Sequence, residues 1–262
     1  WLAVEGAVGP CGLIHHLGAI NGTARFDREA IDVINVAING ALQAIDAARR
    51  WGARLVMASS PEAYGEASDK NHGDERSTFT PPKEHLRHSY GASKYLVEVL
   101  AQAAVKQGLD VRIARPCNAY GPRASGGQNG QVVAMMLEQA AAGRSLHVHG
   151  DGRQTRSFTW IGDVVDGLER LGRMDDAIDG SGSLAGSAFN FASSAETSIA
   201  DLASHISALT GASVIDGQPG HPGDPRHRRP DVHAVKQRLG WEATTSLEEG
   251  LRRTWRALQD DR

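Results

Sequence analysis

RLVMASS, residues 54–60, is a short apolar run that ends in two serines, and LIHHLGA, residues 13–19, has the same length and character. Apolar runs of this length beside glycine are typical of buried parallel strands. Between the two runs, apolar residues recur at helical spacing from about residue 28 to residue 50. A strand, a crossover helix and a second strand make a βαβ unit, so this part of the sequence predicts a parallel α/β fold.

The alternation of helices and strands continues towards the C-terminus. A second helical pattern starts near Tyr90 and stops at Gly108, and VRIARP at residues 111–116 predicts a third strand. Beyond this strand the spacing loosens, with a glycine-rich loop before further helices and strands. We predict a Rossmann-type parallel sheet with a smaller C-terminal substrate-binding domain. The predicted sheet domain comprises residues 1–120 and about 145–192, and the smaller domain comprises about 121–144 and 193–262.

Composition excludes several classes of protein. The 262 residues include 28 Lys and Arg against 31 Asp and Glu, so the formal charge is −3 and the broad positive field that binds nucleic acid is absent. No apolar run approaches the roughly 20 residues that cross a bilayer. Two cysteines, Cys11 and Cys117, are too few for a disulfide framework, which fits a reducing compartment. We expect a cytoplasmic globular protein that binds neither nucleic acid nor membranes.

Tyr90 and Lys94 lie four residues apart, so a helix that starts here places both side chains on one face. A cation about 4 Å from the phenol contributes roughly 4 kcal/mol at an effective dielectric of 20, which predicts a tyrosine pKa lowered by about three units. Ser60 ends the second predicted strand, and open α/β sheets bind ligands at the carboxyl ends of their strands. The three residues predict a site in which Tyr90 is a base and Ser60 donates to a substrate oxygen.

Motifs throughout the chain resemble the extended short-chain dehydrogenase/reductase family, in particular its NAD-dependent nucleotide-sugar epimerases, dehydratases and decarboxylases. Six ordered segments carry the resemblance: HLGAINGT (16–23), ASSPEAYGE (58–66), SYGASK (89–94), RPCNAYGPR (115–123), HGDGRQTRSFTWIGDVVDG (149–167), and DPRHRRPD (224–231) with LGWEATTSLEEGL (239–251).

The resemblance implies NAD as the cofactor, a nucleotide-diphosphate sugar as the substrate, and a role for each matched residue. Ser60, Tyr90 and Lys94 match the catalytic triad, and Glu62 matches a further catalytic carboxylate. The matched cofactor-binding residues are Leu17, Gly18, Ala19, Asn21, Ser59, Tyr90, Lys94 and Pro116. The matched substrate-binding residues are Asn118, Arg123, His149, Arg156 and Arg228.

Two of the basic positions also have a simpler interpretation. Arg156 carries a planar fork suited to diphosphate oxygens, although an arginine in such a turn also occurs as a solvated surface residue. The basic run at residues 226–229 is typical of a solvated face as well. We expect Arg228 to be the member of the run that reaches phosphate.

Four histidines raise the question of metal binding or of further contacts with the substrate. His147 and His149 alternate along a predicted strand, a spacing that permits a metal pair. No third ligand is evident, so we predict no metal, and His149 is expected to line the base pocket. His85 and His88 precede Tyr90 and are expected to be exposed loop residues rather than contacts of the sugar.

The amino-terminal glycines depart from the family pattern. Gly6, Gly9 and Gly12 resemble the family's pyrophosphate loop, but such a loop leaves a first strand and opens a helix, whereas these glycines run into LIHHLGA. We therefore expect a chance match, and a chain starting at Trp1 that lacks the first βαβ unit of the fold. On this interpretation the chain binds NAD weakly. If the glycines form the real loop, its NAD affinity is micromolar.

The residues three and two positions before Tyr64 indicate which reaction the chain catalyses. Proton removal from the sugar 4-hydroxyl and hydride transfer from C4 to NAD give a 4-keto sugar. In the resembling 4,6-dehydratases an Asp and a Glu then expel the 6-hydroxyl, and the matching positions here are Pro61 and Glu62. Pro61 disfavours dehydration, while Glu62 leaves decarboxylation of UDP-glucuronate open. Epimerisation at C4 needs only the triad, so the sequence ranks it first.

Two further expectations concern the protein as a whole. A noncatalytic relative that binds a nucleotide is the alternative from another class, and Tyr90 and Lys94 argue against it. In the resembling enzymes the two long helices form an intersubunit four-helix bundle, so we expect a homodimer. The apolar positions that favour this interface are Ile31, Ile34, Ile38, Leu42, Ile45, Leu96, Val99, Leu100 and Ala103.

Overall fold

A computed structural model describes residues 9–64, 86–124, 126, 130–218 and 227–260. The strands are β1 (Leu13–His16), β2 (Arg54–Ala58), β3 (Val111–Pro116), β4 (Ala119–Tyr120), β5 (Leu146–His149), β6 (Thr155–Arg156), β7 (Thr159–Trp160), β8 (Ala188–Phe191), β9 (Thr197–Ser198), β10 (Val214–Gln218) and β11 (His227–Arg228). The helices are α1 (Thr23–Arg28), α2 (Ala30–Trp51), α3 (Ser89–Lys106), α4 (Val132–Ala141), α5 (Ile161–Arg173), α6 (Ile199–Thr210), α7 (His233–Leu239) and α8 (Leu247–Asp260). Two 3-10 turns are Pro61–Tyr64 and Leu86–His88.

A parallel sheet of four strands, in the order β1, β2, β3, β8, forms the centre of the fold. Along β2, Leu55 and Met57 face one side and Val56 faces the other, because successive side chains of a strand alternate. Helices α2 and α3 pack on the first side and α5 packs on the second. Helices on both faces of a parallel sheet confirm the predicted α/β fold of Rossmann type.

Helix α2 lies close to the sheet because its inner side is built from alanines. Ala37, Ala41, Ala44 and Ala48 recur at helical spacing and are at most 2% exposed. Alanine has the highest helix propensity, and its small side chain lets the backbone approach the strands. The helix ends at Gly52, whose φ of 63° lies in the left-handed region that favours glycine. Within the described ranges, no helix combines the length and apolar character needed to cross a bilayer.

Helices α4, α6 and α8 form a separate apolar cluster together with β5. Leu137 of α4, Leu146 of β5, Leu202 of α6 and Leu251 of α8 belong to it and are at most 1% exposed. Strand β5 pairs with β10, and its apolar residues Leu146 and Val148 pack in this cluster. The predicted division of the chain into two domains stays a prediction.

The amino-terminal glycines lead into a strand. Gly12 directly precedes β1, which pairs in parallel with β2, and the first helix that follows starts at Thr23. Gly9 has a φ of 73°. The expectation that this glycine run meets a strand rather than a helix is confirmed for the described residues. Gly6 lies outside them, and the missing first βαβ unit stays a prediction.

Paired charges occupy the amino end of the sheet. Arg112 is fully buried and donates to Asp110 and to the carbonyls of Leu171 and Met174. Arg54, at the start of β2, donates to Asp110 at 2.7 Å and also to the Met174 carbonyl at 3.0 Å. The last carbonyls of a helix have no partner inside it, so these two guanidinium groups cap the C-terminus of α5.

Candidate active site

The opposite, carboxyl end of the sheet brings the predicted triad together. Ser60 follows β2, and Tyr90 and Lys94 lie in the first turns of α3. Tyr90 shares a hydrogen bond with Ser60. The Lys94 ammonium donates to the carbonyl of Ala58, the last residue of β2, at 2.7 Å, and lies 5.7 Å from the centre of the Tyr90 ring. The convergence that the sequence predicts for these three side chains is present in the structure.

The prediction of a lowered tyrosine pKa is wrong for this structure. Burial, together with the nearby Glu62 carboxylate, raises the pKa of Tyr90 to about 12, and the hydrogen bond with Ser60 opposes the rise only in part. The ring of Phe26, from α1, stacks on Tyr90 at 4.5 Å with an interplanar angle of 6°. The sequence argument placed the Lys94 ammonium against the phenol. The structure directs it to the Ala58 carbonyl instead.

Lys94 is the strongly perturbed cation of the site. Burial lowers its pKa to about 8, and the carboxylate of Glu98 acts in the opposite direction. His16, at the end of β1, also has a lowered pKa, because it is half-buried and because Lys94 is a nearby positive charge. Sequence reasoning did not single out His16 as part of the site. The signal available was its position at the end of a predicted strand, immediately before Leu17.

The residues predicted to bind the cofactor lie along the same edge of the sheet. The loop that follows β1 carries Leu17, Gly18, Ala19 and Asn21, Ser59 follows β2, and Pro116 ends β3. Leu17 is 53% exposed, and a Cβ added at Gly18 meets nothing closer than the His16 ring at 3.8 Å. An open loop beside the Lys94 and Ser60 donors fits the nicotinamide end of NAD.

Asn118 and Arg156, two of the predicted diphosphate ligands, lie on adjoining segments. Asn118 has a φ of 41° and donates to the carbonyl of Ser157 at 3.2 Å. Arg156 is only 8% exposed, so the alternative interpretation as a solvated surface arginine is wrong. Strand β11 pairs with β6 so that Arg228 lies beside Arg156 in register. The structure therefore places all three positions in one region, beyond the carboxyl end of β3.

Arg123 and His149, the other predicted substrate ligands, lie on separate elements. Arg123 is exposed, has a φ of 65°, and lines a small cleft with Glu138 and Thr254. His149 ends β5, opposite Gln218 of β10. Both assignments stay predictions.

The structure also locates the other predicted histidines and the basic run. His147 and His149 share one side of β5, as the alternation predicts. Among the described residues, no group of three metal-ligating side chains is placed to hold an ion. His88 is half-buried at the start of α3. His85 and Arg226 lie outside the described residues, as do the side chains of His227 and Arg228.

A buried polar network behind the triad was not predicted. Arg115 of β3 and Glu98 of α3 form a two-pronged ion pair with distances of 2.7 and 2.6 Å. Ser59 donates to Glu98 at 2.5 Å, and Arg115 donates to the Tyr64 hydroxyl at 3.1 Å. Tyr64 in turn donates to Asn190. The only sequence signal was that Glu98 follows Lys94 by one helical turn.

Comparisons with known proteins agree with this geometry. Residues 3–185 match the sequence profile of the NAD dependent epimerase/dehydratase family. UDP-glucuronic acid decarboxylase 5 of Arabidopsis thaliana is 32% identical over 240 residues, covering 91% of this chain and 67% of the relative. UDP-glucuronic acid decarboxylase 1 of Xenopus tropicalis is 33% identical over 243 residues, covering 92% of this chain and 55% of the relative.

A solved structure is similar over nearly the whole chain. It is a UDP-glucose 4-epimerase with UDP-glucose from Thermotoga maritima, which superposes with a TM-score of 0.85 and 26% identity. The alignment covers 99% of this chain and 80% of that one. The chain thus matches a solved epimerase by fold and decarboxylases by sequence, while spanning 67% and 55% of the two relatives.

Proposed function

The chain belongs to the NAD-dependent epimerase/dehydratase family, and we propose that it oxidises a UDP-linked uronic acid at C4 and then releases the C6 carboxylate as carbon dioxide. The observation that carries this proposal is Glu62, whose backbone N–H donates to Ser60 at 3.2 Å and whose carboxylate is close enough to Tyr90 to help raise the pKa of its phenol. The resembling decarboxylases keep a glutamate at this position. The sequence relatives named as UDP-glucuronic acid decarboxylases support the same choice.

The first step is removal of a proton from the sugar 4-hydroxyl. Tyr90 is the base, and Ser60 donates a hydrogen bond to the same oxygen as the carbonyl forms. Because burial raises the pKa of Tyr90 to about 12, the phenol needs the positive charge of Lys94 close by to release its own proton. NAD held along the loop at residues 17–21 would supply the hydride acceptor for C4, and its reduced form would supply the hydride again after the carboxylate has left.

The second step follows from the chemistry of the 4-keto sugar. Its carboxylate lies β to the new carbonyl, so the bond between C5 and C6 breaks and its electron pair moves into the enolate of C4 and C5. The protonated Tyr90 phenol and Ser60 face the enolate oxygen, and a proton from solvent water then adds to C5. We assign Glu62 to a hydrogen bond with a sugar hydroxyl, which orients the ring for this step.

Binding of the substrate depends on the second part of the chain. Arg156 offers a planar fork to the two phosphates, and Asn118 holds the adjoining Ser157 backbone in place. Arg228 lies in register beside Arg156 and is the second cation that we assign to the diphosphate. Arg123 and His149 are assigned to the nucleotide on the resemblance alone.

Epimerisation at C4 is the second candidate function. It is favoured by the 4-epimerase from Thermotoga maritima, which superposes on 99% of this chain. The triad by itself suffices for it, since the keto sugar needs only to turn over and recover its hydride on the other face. The sequence ranks epimerisation first, whereas the relatives and Glu62 favour decarboxylation.

Product analysis distinguishes these candidates. The protein is incubated with NAD and either UDP-glucuronate or UDP-glucose, and the anomeric proton signals are followed by NMR. Decarboxylation predicts a UDP-linked pentose and carbon dioxide from UDP-glucuronate only. A galacto-configured product from either sugar would instead establish epimerisation. No conversion of either sugar would favour a noncatalytic nucleotide-binding protein.

The cofactor is tested separately because the prediction of weak NAD binding remains open. We assign the nicotinamide end to the loop at residues 17–21 and to Ser59, Lys94 and Pro116. Calorimetric titration with NAD measures the affinity of the 262-residue chain directly. Weak binding is the expected result, because Gly12 leads into β1 and not into a helix. Micromolar affinity would show that the amino-terminal glycines hold the pyrophosphate.

We also propose that the protein forms a homodimer through the outer faces of α2 and α3. Ile31, Ile34 and Leu42 of α2 are 75%, 39% and 45% exposed, and Leu96 and Val99 of α3 are 47% and 46% exposed. A contiguous apolar face of this kind is typical of an interface between subunits. Sedimentation velocity at micromolar concentration tests the proposal, and a monomer alone would contradict it.

A further inference from the structure

We propose that Glu98 is a positioning residue of the active site, which fixes the serine-bearing end of β2 against α3 and supplies the negative charge that offsets the buried Lys94 ammonium. The effect on turnover rests on the proposed function. The effect on Lys94 does not, so the two can fail independently.

The geometry connects three elements through one carboxylate. Glu98 lies four residues after Lys94 on α3, so both side chains project from the same face of the helix. One carboxylate oxygen accepts from Ser59 and from Nε of Arg115, and the other accepts from Nη2 of Arg115. The side chains of Arg115 and Glu98 are only 5% and 13% exposed. The end of β2, helix α3 and strand β3 are therefore held at one point.

The local charge balance makes Glu98 more than a structural contact. Two buried cations are influenced by this single carboxylate: Arg115 pairs with it directly, and Lys94 is close enough for the carboxylate to act on its pKa. The other groups that face Lys94 are His16 from β1, Tyr90 one turn earlier on α3, and the Ala58 carbonyl from β2. None of these is an anion at neutral pH, so among the groups that the structure shows beside Lys94, Glu98 carries the negative charge.

The energetics of buried ion pairs also favour a role for Glu98 in the charge state of Lys94. A buried ion pair is often no more stabilising than apolar residues of equal volume, because both charges lose their hydration. A pair that only held α3 to β3 would gain little from being charged. A pair beside a buried lysine has a second effect, since the carboxylate favours the protonated amine. The opposing influences of burial and Glu98 on the pKa of Lys94 fit this interpretation.

The same ion pair also reaches the turn that carries Glu62. Arg115 donates to Tyr64 at 3.1 Å, and Tyr64 lies at the end of the Pro61–Tyr64 turn. Tyr64 donates to Asn190, which itself donates to the carbonyl of Asp231 at 2.8 Å. Ser59 and the Glu62 turn are thus fixed from one side by a single network.

Direct titration of Lys94 tests the proposal without substrate or cofactor. The chain has five lysines, so NMR of protein labelled with ¹³C at lysine Cε gives few signals, and Lys94→Arg identifies the signal of Lys94. In Glu98→Gln, the midpoint of Lys94 is expected to fall by about one pH unit, which is about tenfold more neutral amine at a given pH. Asp166→Asn is the matched control, because it removes the same charge from an exposed pair with Arg170, and its midpoint is expected to equal the wild-type value.

A wild-type midpoint in folded Glu98→Gln would overturn the proposal. If Glu98→Gln does not fold, the Lys94 midpoint is measured in Glu98→Asp instead. This variant keeps the ion pair but shortens the side chain by one methylene, which moves the carboxylate away from Lys94. Its midpoint is expected to fall by about half as much, and an unchanged midpoint would overturn the proposal equally.

Turnover of UDP-glucuronate then tests whether Glu98 affects catalysis. Glu98→Gln is expected to lower kcat by about tenfold with little change in KM, and to move the limb of the pH–rate profile together with the Lys94 midpoint. Glu98→Asp is expected to recover part of this loss. A loss that does not follow the Lys94 midpoint would overturn the positioning role. If wild-type protein does not turn over UDP-glucuronate, the proposed function fails while the titration still decides the role of Glu98.

Discussion

Two buried cations at opposite ends of the central sheet, Arg112 and Lys94, are held in different ways. At the amino end, Arg112 is fully buried and binds both oxygens of Asp110 together with the last carbonyls of α5. At the carboxyl end, Lys94 is 3% exposed and its ammonium donates to the carbonyl of Ala58. Burial lowers the pKa of Lys94 to about 8 and, with Glu62, raises that of Tyr90 to about 12.

This difference teaches which buried charges stabilise the fold and which carry chemistry. A charge whose donors are matched to acceptors contributes to stability, because its lost hydration is replaced. A charge held mainly by a carbonyl, with a shifted pKa, destabilises the fold and is ready to exchange a proton. Substitutions of Arg112 and Lys94 should therefore have opposite consequences for stability and turnover.

Arg112→Met should have the largest effect on stability. It removes a buried cation, takes the guanidinium donor from the Leu171 carbonyl and leaves the Met174 carbonyl with Arg54 as its side-chain donor, so the free energy of unfolding is expected to fall by about 3–5 kcal/mol. Urea unfolding followed by circular dichroism measures the change. The control is Arg252→Met, whose exposed pair with Glu249 is expected to contribute less than about 1 kcal/mol. Equal losses in both variants would contradict the comparison.

Tyr90→Phe should have the largest effect on turnover with little effect on stability. Loss of a positioned base is expected to lower turnover of UDP-glucuronate at least about 10²-fold, while sugar-nucleotide binding measured by calorimetry is nearly unchanged. Tyr95→Phe is the control, because Tyr95 lies on the same helix and is 41% exposed. Wild-type turnover in Tyr90→Phe would refute the assignment of the base.

Lys94→Met should stabilise the protein and abolish turnover. The pKa of Lys94 in the folded protein, about 8, is below the ordinary value of 10.5, so the folded state is penalised wherever the amine is charged. The penalty is complete below about pH 8 and disappears above about pH 10.5. The shift corresponds to about 3 kcal/mol at most, and the Ala58 carbonyl loses its donor, so a net gain of about 1–2 kcal/mol is expected at pH 7.

Urea unfolding at pH 7 and at high pH checks this prediction. The gain in stability of Lys94→Met over the wild type should shrink as the pH rises from about 8 to about 10.5, because Lys94 of the wild-type protein is then a neutral amine in the folded state. A variant less stable than the wild type at both pH values would mean that the ammonium is a structural contact like those of Arg112.

Asp175→Asn should have the smallest effect. Its carboxylate pairs with Arg54 at 3.1 Å, but the side chain is 92% exposed. Exposed pairs contribute between about 0 and 1 kcal/mol, and Arg54 keeps its bond to Asp110. Thermal unfolding should show at most a small decrease in Tm. A loss of stability comparable to that of Arg112→Met would show that solvent exposure does not distinguish strong from weak ion pairs at the amino end of the sheet.

The sequence predicted the parts of this molecule that depend on periodicity and spacing. The strands at 54–58 and 111–116, the helix between the first two strands and the convergence of Ser60, Tyr90 and Lys94 all follow from local pattern and strand order. Two-residue strands such as β4 and β7 are too short to show a period. Their pairing is fixed only by the tertiary fold.

The electrostatics of the site could not be predicted in the same way. Burial raises the pKa of Tyr90, and the Phe26 ring that stacks on it comes from a helix 64 residues earlier in the chain. The Glu98–Arg115 pair joins a helix to a strand, so sequence spacing offered only the position of Glu98 one turn after Lys94. Burial and partner choice are tertiary properties, and both decide the charge states here.

The most direct test of the carboxyl-end site is rapid mixing of the protein in saturating NAD with UDP-glucuronate, with and without deuterium at C4. The account predicts a transient absorbance of reduced nicotinamide that precedes the product, forms more slowly with deuterium at C4, and is absent in Tyr90→Phe. Product formation without that absorbance and without any slowing by deuterium would contradict oxidation at C4. An unchanged trace in Tyr90→Phe would contradict the assignment of Tyr90 as the base.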